Sequence, residues 1–322
     1  MDEKRDLLKQ LSDQSDAIIK HSDSKNPEKT WMYRVTQGFW NELYQARETG
    51  RPIILCSPNV PQEMIYSLGA VPLPVDALPT RLASSKDAWR YIDISEQYVP
   101  TTVCSINKVN FGTVFSGDLG FIPAAMVYCS LPCDSSRSTY PAMAEYLNKT
   151  YGVPYFVVDT PYRKDDVGFR YTANNLKRAY QFLLKVLKKE HDPDALAKYL
   201  TNSNKTEELM CLIGNMRKQV PCPQGGRLLV LNGMVTCCMG SQYIDIGIYA
   251  GHVGCKHAWA AGRMVTDVME KKYGTPVLTF DLDSGDIRYK STDEIKATIT
   301  DFMETLAARG YDPAAERAKL LK

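Results

Sequence analysis

Three cysteines carry the clearest chemistry in this chain: Cys104, Cys133 and Cys255, each placed where an expected helix begins. At a helix start the unpaired backbone N–H groups and the positive end of the dipole favour a thiolate over a thiol. Three thiolates from separated elements suit a metal centre better than a disulfide pair, and iron–sulfur clusters are held chiefly by cysteine sulfur. The plain alternative is three half-buried packing cysteines. For two of them the sequence weighs against it, because Cys133 and Cys255 occupy the same place in two copies of one 36-residue pattern, offset by 122 positions without a gap. Packing alone does not require one residue type at one turn twice.

The copies run from Ala124 to Asp159 and from Ile246 to Asp281. Past the cysteines, Lys149 aligns with Lys271, Tyr151 and Gly152 with Tyr273 and Gly274, Pro154 with Pro276, and Asp159 with Asp281. Each copy reads as an apolar strand, a turn, a helix of four or five turns and a Gly-x-Pro turn into a second strand. This is a βαβ unit, which implies a parallel sheet. Its cysteine lies at the carboxyl edge of the strands, where open parallel sheets bind ligands.

Around the repeats, helices are expected over Asp2–Lys20 and Tyr33–Thr49, a strand over Pro52–Cys56, a short helix over Gln62–Leu68 closed by Gly69, and a strand over Val71–Val75. Further helices are expected over Ala83–Gln97, over Thr101–Ser116 with Cys104 in the first turn, and through Gly168–Arg217. In the last, Leu176, Tyr180, Leu183, Leu184 and Leu187 recur at helical spacing. Val220–Gly226 is turn-rich, Leu228–Leu231 reads as a strand, and Thr292–Ala308 as a closing helix. The organisation is α/β: residues 1–50 a helical segment, 51–165 a first Rossmann-like parallel-sheet domain, 166–222 a helical linker, and 223–322 a second, related and shortened domain.

The remaining cysteines read as less specific. Cys56 and Cys129 end strands, Cys211 falls on a linking helix, Cys222 lies between prolines, and the adjacent Cys237 and Cys238 form a reserve of which one at most reaches a shared metal. A zinc site would ordinarily bring a C-x-x-C knuckle, and the chain has none. His252 and His257 flank Cys255 but have no histidine counterpart in the first copy. Nine cysteines without an apolar leader in MDEKRDLLKQ point to a reducing, cytoplasmic setting. With 322 residues, 44% apolar and a net charge of +2, the chain can fill two cores, and its totals call for neither nucleic acid nor a membrane.

The order of these motifs resembles one family. CSPNVPQEMIYSLGAVPLPV, Cys56 to Val75, is similar to the P-x-E-x-x-x-A-x-G-x-x-P opening segment of 2-hydroxyacyl-CoA dehydratase and benzoyl-CoA reductase subunits, with Ser67 in place of the alanine. Cys104 resembles the family's helix-borne first cysteine. Cys133-Asp134 with Arg137 resembles its C-D-x-x-R second cysteine, and Cys255 in GHVGCKHAW the third, ahead of the acidic turn DLDSGD. The resemblance extends from about Trp31 to Leu306. It departs around Arg227–Asp245, where the family carries a further βα layer.

The resemblance implies a [4Fe–4S] cluster held by Cys104, Cys133 and Cys255, with one iron left open. It implies a homologous second subunit (heterodimer or homodimer), an ATP-dependent iron–sulfur activator and an acyl-CoA substrate. In the dehydratases of this family, one low-potential electron converts an (R)-2-hydroxyacyl-CoA to a ketyl radical that expels hydroxide and ends as an enoyl-CoA, in anaerobic fermentation. Glu63 is then an acid–base or positioning candidate and Ser57 a nearby hydroxyl, each with a plain reading as a first-turn acid or an N-cap. Alternatives are a benzoyl-CoA-reductase-like or double-cubane-type reductase subunit, and a non-catalytic cluster-carrying or scaffolding partner. The shortened second domain leaves both the substrate-binding and the electron-relay roles open.

Overall fold

The computed structural model describes residues 5–23, 31–82, 87–131, 133–216, 247–273, 276–283, 285–286 and 288–312. The expected turn at Val220–Gly226, the strand at Leu228–Leu231, Cys222, Cys237, Cys238 and the segment Arg227–Asp245 lie outside these residues. Two compact units are present: one runs to Leu196 and includes Asp283–Ile287, and the other comprises Ala197–Leu282 and the residues from Arg288 onward.

The first unit is built on four parallel strands: β1 (Ile53–Cys56), β2 (Val71–Pro74), β3 (Ala125–Cys129) and β4 (Tyr155–Val158), in spatial order β2-β1-β3-β4. β1 is central, pairing Ile53 with Val71 on one side and Ile54 with Ala125 on the other. Every residue of β1 and β3 is buried, as expected when helices cover both faces of a parallel sheet. Alternate strand residues point to opposite faces. Ile53, Leu55, Val71, Leu73, Met126 and Tyr128 face a core with α1 (Leu7–Asp23), α2 (Trp31–Thr49), α5 (Asp87–Ser95), α6 (Ser105–Ser116) and α7 (Asp134–Tyr151). Ile54, Cys56, Ala125, Val127, Cys129 and Val158 face α3 (Glu63–Tyr66) and α8 (Asp166–Leu187). The α/β class expected from the repeats is the class observed.

Three details differ from the sequence reading. An additional short helix, α4 (Ala77–Leu82), precedes α5. Cys104 is the N-cap of α6 and lies just outside the helix. α8 packs through Leu176, Ala179, Tyr180 and Leu183 onto the first sheet, so this part of the expected linker at 166–222 belongs to the first unit. The apolar stripe read from its sequence needed a partner surface, and the second face of the sheet supplies it. The unit boundary falls within the first turn of α9 (Pro193–Met216).

The second unit holds the second copy of the repeat. β5 (Gly247–His252) and β6 (Val277–Leu282) pair in parallel from Gly247 opposite Val277 to His252 opposite Leu282, connected through α10 (Lys256–Tyr273). α10 lies close on β5. A Cβ on Gly262 would meet the Tyr249 ring at 2.3 Å, and one on Gly251 would meet the Trp259 ring at 2.9 Å. This explains a break in the repeat, since Gly251 stands where the first copy has Cys129. The last described helix, α11 (Thr292–Ala308), opens with a capping box in which Ser291 and Glu294 bond reciprocally.

Candidate functional site

The carboxyl edge of the first sheet gathers two of the three cysteines. With strand order β2-β1-β3-β4, the chain runs outward in opposite directions from β1 and β3, and the crevice beyond their carboxyl ends is where such sheets bind ligands. Cys133 follows β3 and caps α7 with extended backbone (φ −87°, ψ 124°). Cys104 caps α6 at φ −50°, ψ 129°. The Cys133 thiol makes no side-chain cap bond to the first turn of α7, whereas the Cys104 sulfur faces the backbone N–H groups of Ile106 and Asn107. Cys104 is buried and Cys133 half-buried.

A run of polar contacts joins α6 to α7 below the two sulfurs. The Cys104 backbone N–H donates to Ser135 Oγ at 3.3 Å. Asn107 Nδ2 donates to Cys133 Sγ at 3.9 Å, within reach for a large sulfur acceptor. The Thr139 hydroxyl lies 3.4 Å from Asn107 Oδ1 and 3.1 Å from the Ser135 carbonyl, so it divides between them. Burial pushes the Cys104 thiol up to about 11, against the backbone N–H groups of Asn107 and Ile106, which pull it down; the neighbouring Cys133 and Asp283 add to the rise. In the metal-free protein, desolvation therefore outweighs the helix start that was expected to favour thiolate. A bound cation reverses that balance.

The same edge holds a group that sequence reasoning missed. Asp76, just past β2, accepts from Asn110 Nδ2 of α6 at 2.5 Å and from the Tyr140 hydroxyl of α7 at 3.0 Å. Burial raises its pKa against these two bonds, which lower it. Asn110 is fully buried, and its Oδ1 has no hydrogen-bond partner among the described residues. The available signal was a lone acid directly after an apolar strand, at the edge where sites form.

Ser57 and Glu63 fall on the β1 side of this edge. Ser57 is not a helix cap: the N-cap of α3 is Gln62, without a side-chain bond. Ser57 is buried, its N–H donates to the Val127 carbonyl at 3.1 Å, and its hydroxyl accepts from the Cys129 N–H at 3.0 Å. It extends the pairing of β1 with β3 by one step. Glu63 is the first residue of α3 and is half-buried. Cys56 is fully buried in the core, and burial pushes its thiol far above the ordinary range. Cys129 is likewise a buried strand end.

In the second unit, Cys255 directly precedes α10, as Cys133 precedes α7. Its N–H donates to the His252 carbonyl at 3.0 Å, and its sulfur accepts the Ala258 N–H at 3.3 Å. The half-buried sulfur thus already receives one helix N–H. Among the described residues, no three His, Cys, Asp or Glu side chains gather as a metal-binding group.

Residues 58–245, more than half of the chain, match the model for the 2-hydroxyglutaryl-CoA dehydratase D-component. The chain belongs to that family. The stretch matched to the D-component model contains Glu63, Cys104 and Cys133, while Ser57 lies one residue before it and Cys255 ten residues beyond it. No curated protein matches the chain. Cys104 and Cys133 are soft sulfur donors at helix starts with N–H groups aimed at them, the chemistry an iron–sulfur ligand needs, and Cys255 in the second unit has the same local setting. Among the described residues no helix is long and apolar enough to cross a membrane.

Proposed function

We propose that this chain is the iron–sulfur subunit of an (R)-2-hydroxyacyl-CoA dehydratase, with Cys104, Cys133 and Cys255 holding a [4Fe–4S] cluster. The observation that carries this reading is the pair of cysteine-capped helices at one sheet edge, with an amide N–H donated to Cys133 and backbone N–H groups directed at Cys104. When bound, the cluster supplies one-electron chemistry and, with one iron not held by protein, a Lewis-acidic position for a substrate oxygen. Two helix starts offset part of the negative charge that three thiolates bring. Burial of Cys104 keeps water from that side. Glu63, half-buried beside the edge, holds or moves a proton at the substrate, and Ser57 keeps the ends of β1 and β3 in step.

The partners in this reading are a homologous second subunit and an ATP-dependent iron–sulfur activator, with an acyl-CoA as substrate. The test is oxygen-free purification followed by iron and sulfide analysis, EPR and an acyl-CoA dehydration assay with the activator. We expect about four irons and four sulfides per chain, lost in Cys133→Ser and Cys255→Ser, and water elimination that needs only catalytic ATP. Consumption of ATP in step with substrate reduction would replace the dehydratase by a reductase. A wild-type chain without iron would end the reading.

A further inference from the structure

The amide of Asn107 is an unusual group to bury beside a cysteine: the residue is 5% exposed, sits in the first turn of α6, and faces α7. Its Nδ2 reaches Cys133 Sγ at 3.9 Å, and its Oδ1 lies against the Thr139 hydroxyl at 3.4 Å. The amide therefore belongs to the helix that Cys104 caps, yet donates to the sulfur of the residue at the N-cap of the next helix. On the side of the sulfurs the two helices are tied by Cys104 N–H to Ser135 Oγ. On the far side they are tied by Asn110 and Tyr140, which meet on one oxygen of Asp76, and by the stacked rings of Phe115 and Tyr146, 4.0 Å apart. Held at both ends, the seam leaves the Asn107 amide little freedom to turn away.

We propose that Asn107 is a positioning residue for the Cys104–Cys133 pair, delivering a neutral N–H to Cys133 sulfur and thereby setting how firmly the pair holds a thiophilic metal and at what potential a cluster there accepts an electron. An N–H donated to a ligand sulfur stabilises the more negative, reduced state, so it raises the midpoint potential. A neutral donor does this without adding a competing charge. The part that concerns potential rests on the cluster reading above; the part that concerns metal retention rests on the geometry of the two sulfurs alone.

The experiment compares wild type with Asn107→Leu, Asn107→Ala and Thr139→Val in the full-length chain, with folding of each checked by circular dichroism. Asn107→Ala removes the donor without adding charge or bulk; Thr139→Val keeps the amide and unties it. In the iron-loaded protein, an EPR-monitored redox titration is expected to show the midpoint moving in the negative direction in Asn107→Leu, and by less in Thr139→Val. In the metal-free protein, a Cd²⁺ titration followed by thiolate-to-metal absorption, with Cys133→Ser as baseline, is expected to show affinity weakened about tenfold in Asn107→Leu and Asn107→Ala, and by less in Thr139→Val. If wild type holds no iron, the cluster reading falls while the Cd²⁺ titration still decides the role of Asn107. Folded variants with wild-type Cd²⁺ affinity overturn the proposal, as does an unchanged midpoint in an iron-loaded Asn107→Leu protein. Should Asn107→Leu fail to fold, Asn107→Ala and Thr139→Val give the same decision.

Discussion

Cys104 and Cys133 share a backbone role and differ in burial, and that difference governs their reactivity without metal. Cys104 is buried, with its thiol pushed up to about 11, whereas Cys133 and Cys255 are half-buried. Alkylation requires both access and thiolate. In metal-free protein at neutral pH, iodoacetamide is expected to modify Cys133 and Cys255 well before Cys104, Cys56 and Cys129, as followed by peptide mass spectrometry. Raising the pH toward 11 should speed Cys104, because its thiolate fraction grows as the pH approaches its raised pKa. Equal labelling of Cys104 and Cys133 at neutral pH would show that Cys104 is not shielded as described. That Cys133 and Cys255 stand at equivalent helix starts was legible in the sequence from the repeat. The burial of Cys104 was not, since nothing in its spacing says how deeply α6 is packed.

At the scale of elements, α6 is the piece that positions the site. It is buried nearly all round: polar Ser105, Asn107, Lys108, Asn110 and Thr113 are as enclosed as Val109, Phe111 and Val114. Each buried polar group must then find a partner. Lys108 pairs with Glu96 at 2.7 Å and donates to the Thr101 carbonyl at 3.1 Å, and the Ser95 hydroxyl bonds the Lys108 carbonyl. α5 and α6 cross so closely at Gly112 that a Cβ there would meet the Tyr91 carbonyl oxygen at 2.0 Å. Gly112→Ala is therefore expected to push α6 away from α5 and cost about 3 kcal/mol. Thermal unfolding measures the loss, and metal binding at Cys104 should weaken with it. A variant as stable as wild type would mean that the two helices part without cost. The helix itself was legible in the sequence. Its crossing partner was not, because an all-round buried helix has no amphipathic stripe to show which face packs on what.

For the molecule as a whole, the two units differ in how much core they hold. Among the described residues, most of the buried apolar ones belong to the first unit, where the sheet is covered on both faces. In the second unit, among the described residues, the buried large apolar side chains are Met269, Phe280 and Leu306, and Trp259, Met264, Val268 and Met303 are exposed. Local opening is resisted by buried apolar contacts, so protection should follow that division. Hydrogen exchange by mass spectrometry is expected to show β1 and β3 as the slowest segments and β5 and β6 exchanging several-fold faster. Comparable protection in both sheets would show that the second unit is supported by more than the described residues provide.

Local pattern determined a good deal of this protein. The repeat, the alternation of apolar runs with helical spacing and the Gly-x-Pro turns defined both βαβ units, placed Cys133 and Cys255 at equivalent helix starts, and bounded α11 to the residue, because strand, turn and helix signals are carried by near neighbours. Tertiary structure decided what distant residues do to one another. It brought Asp76, Asn110 and Tyr140 onto one carboxylate oxygen, aimed Asn107 at Cys133, turned Ser57 from a cap into a link between strands, and drew α8 onto the first sheet. These contacts join residues far apart in the chain through the packing of a shared core. No periodicity along one segment encodes which surface another segment will offer it.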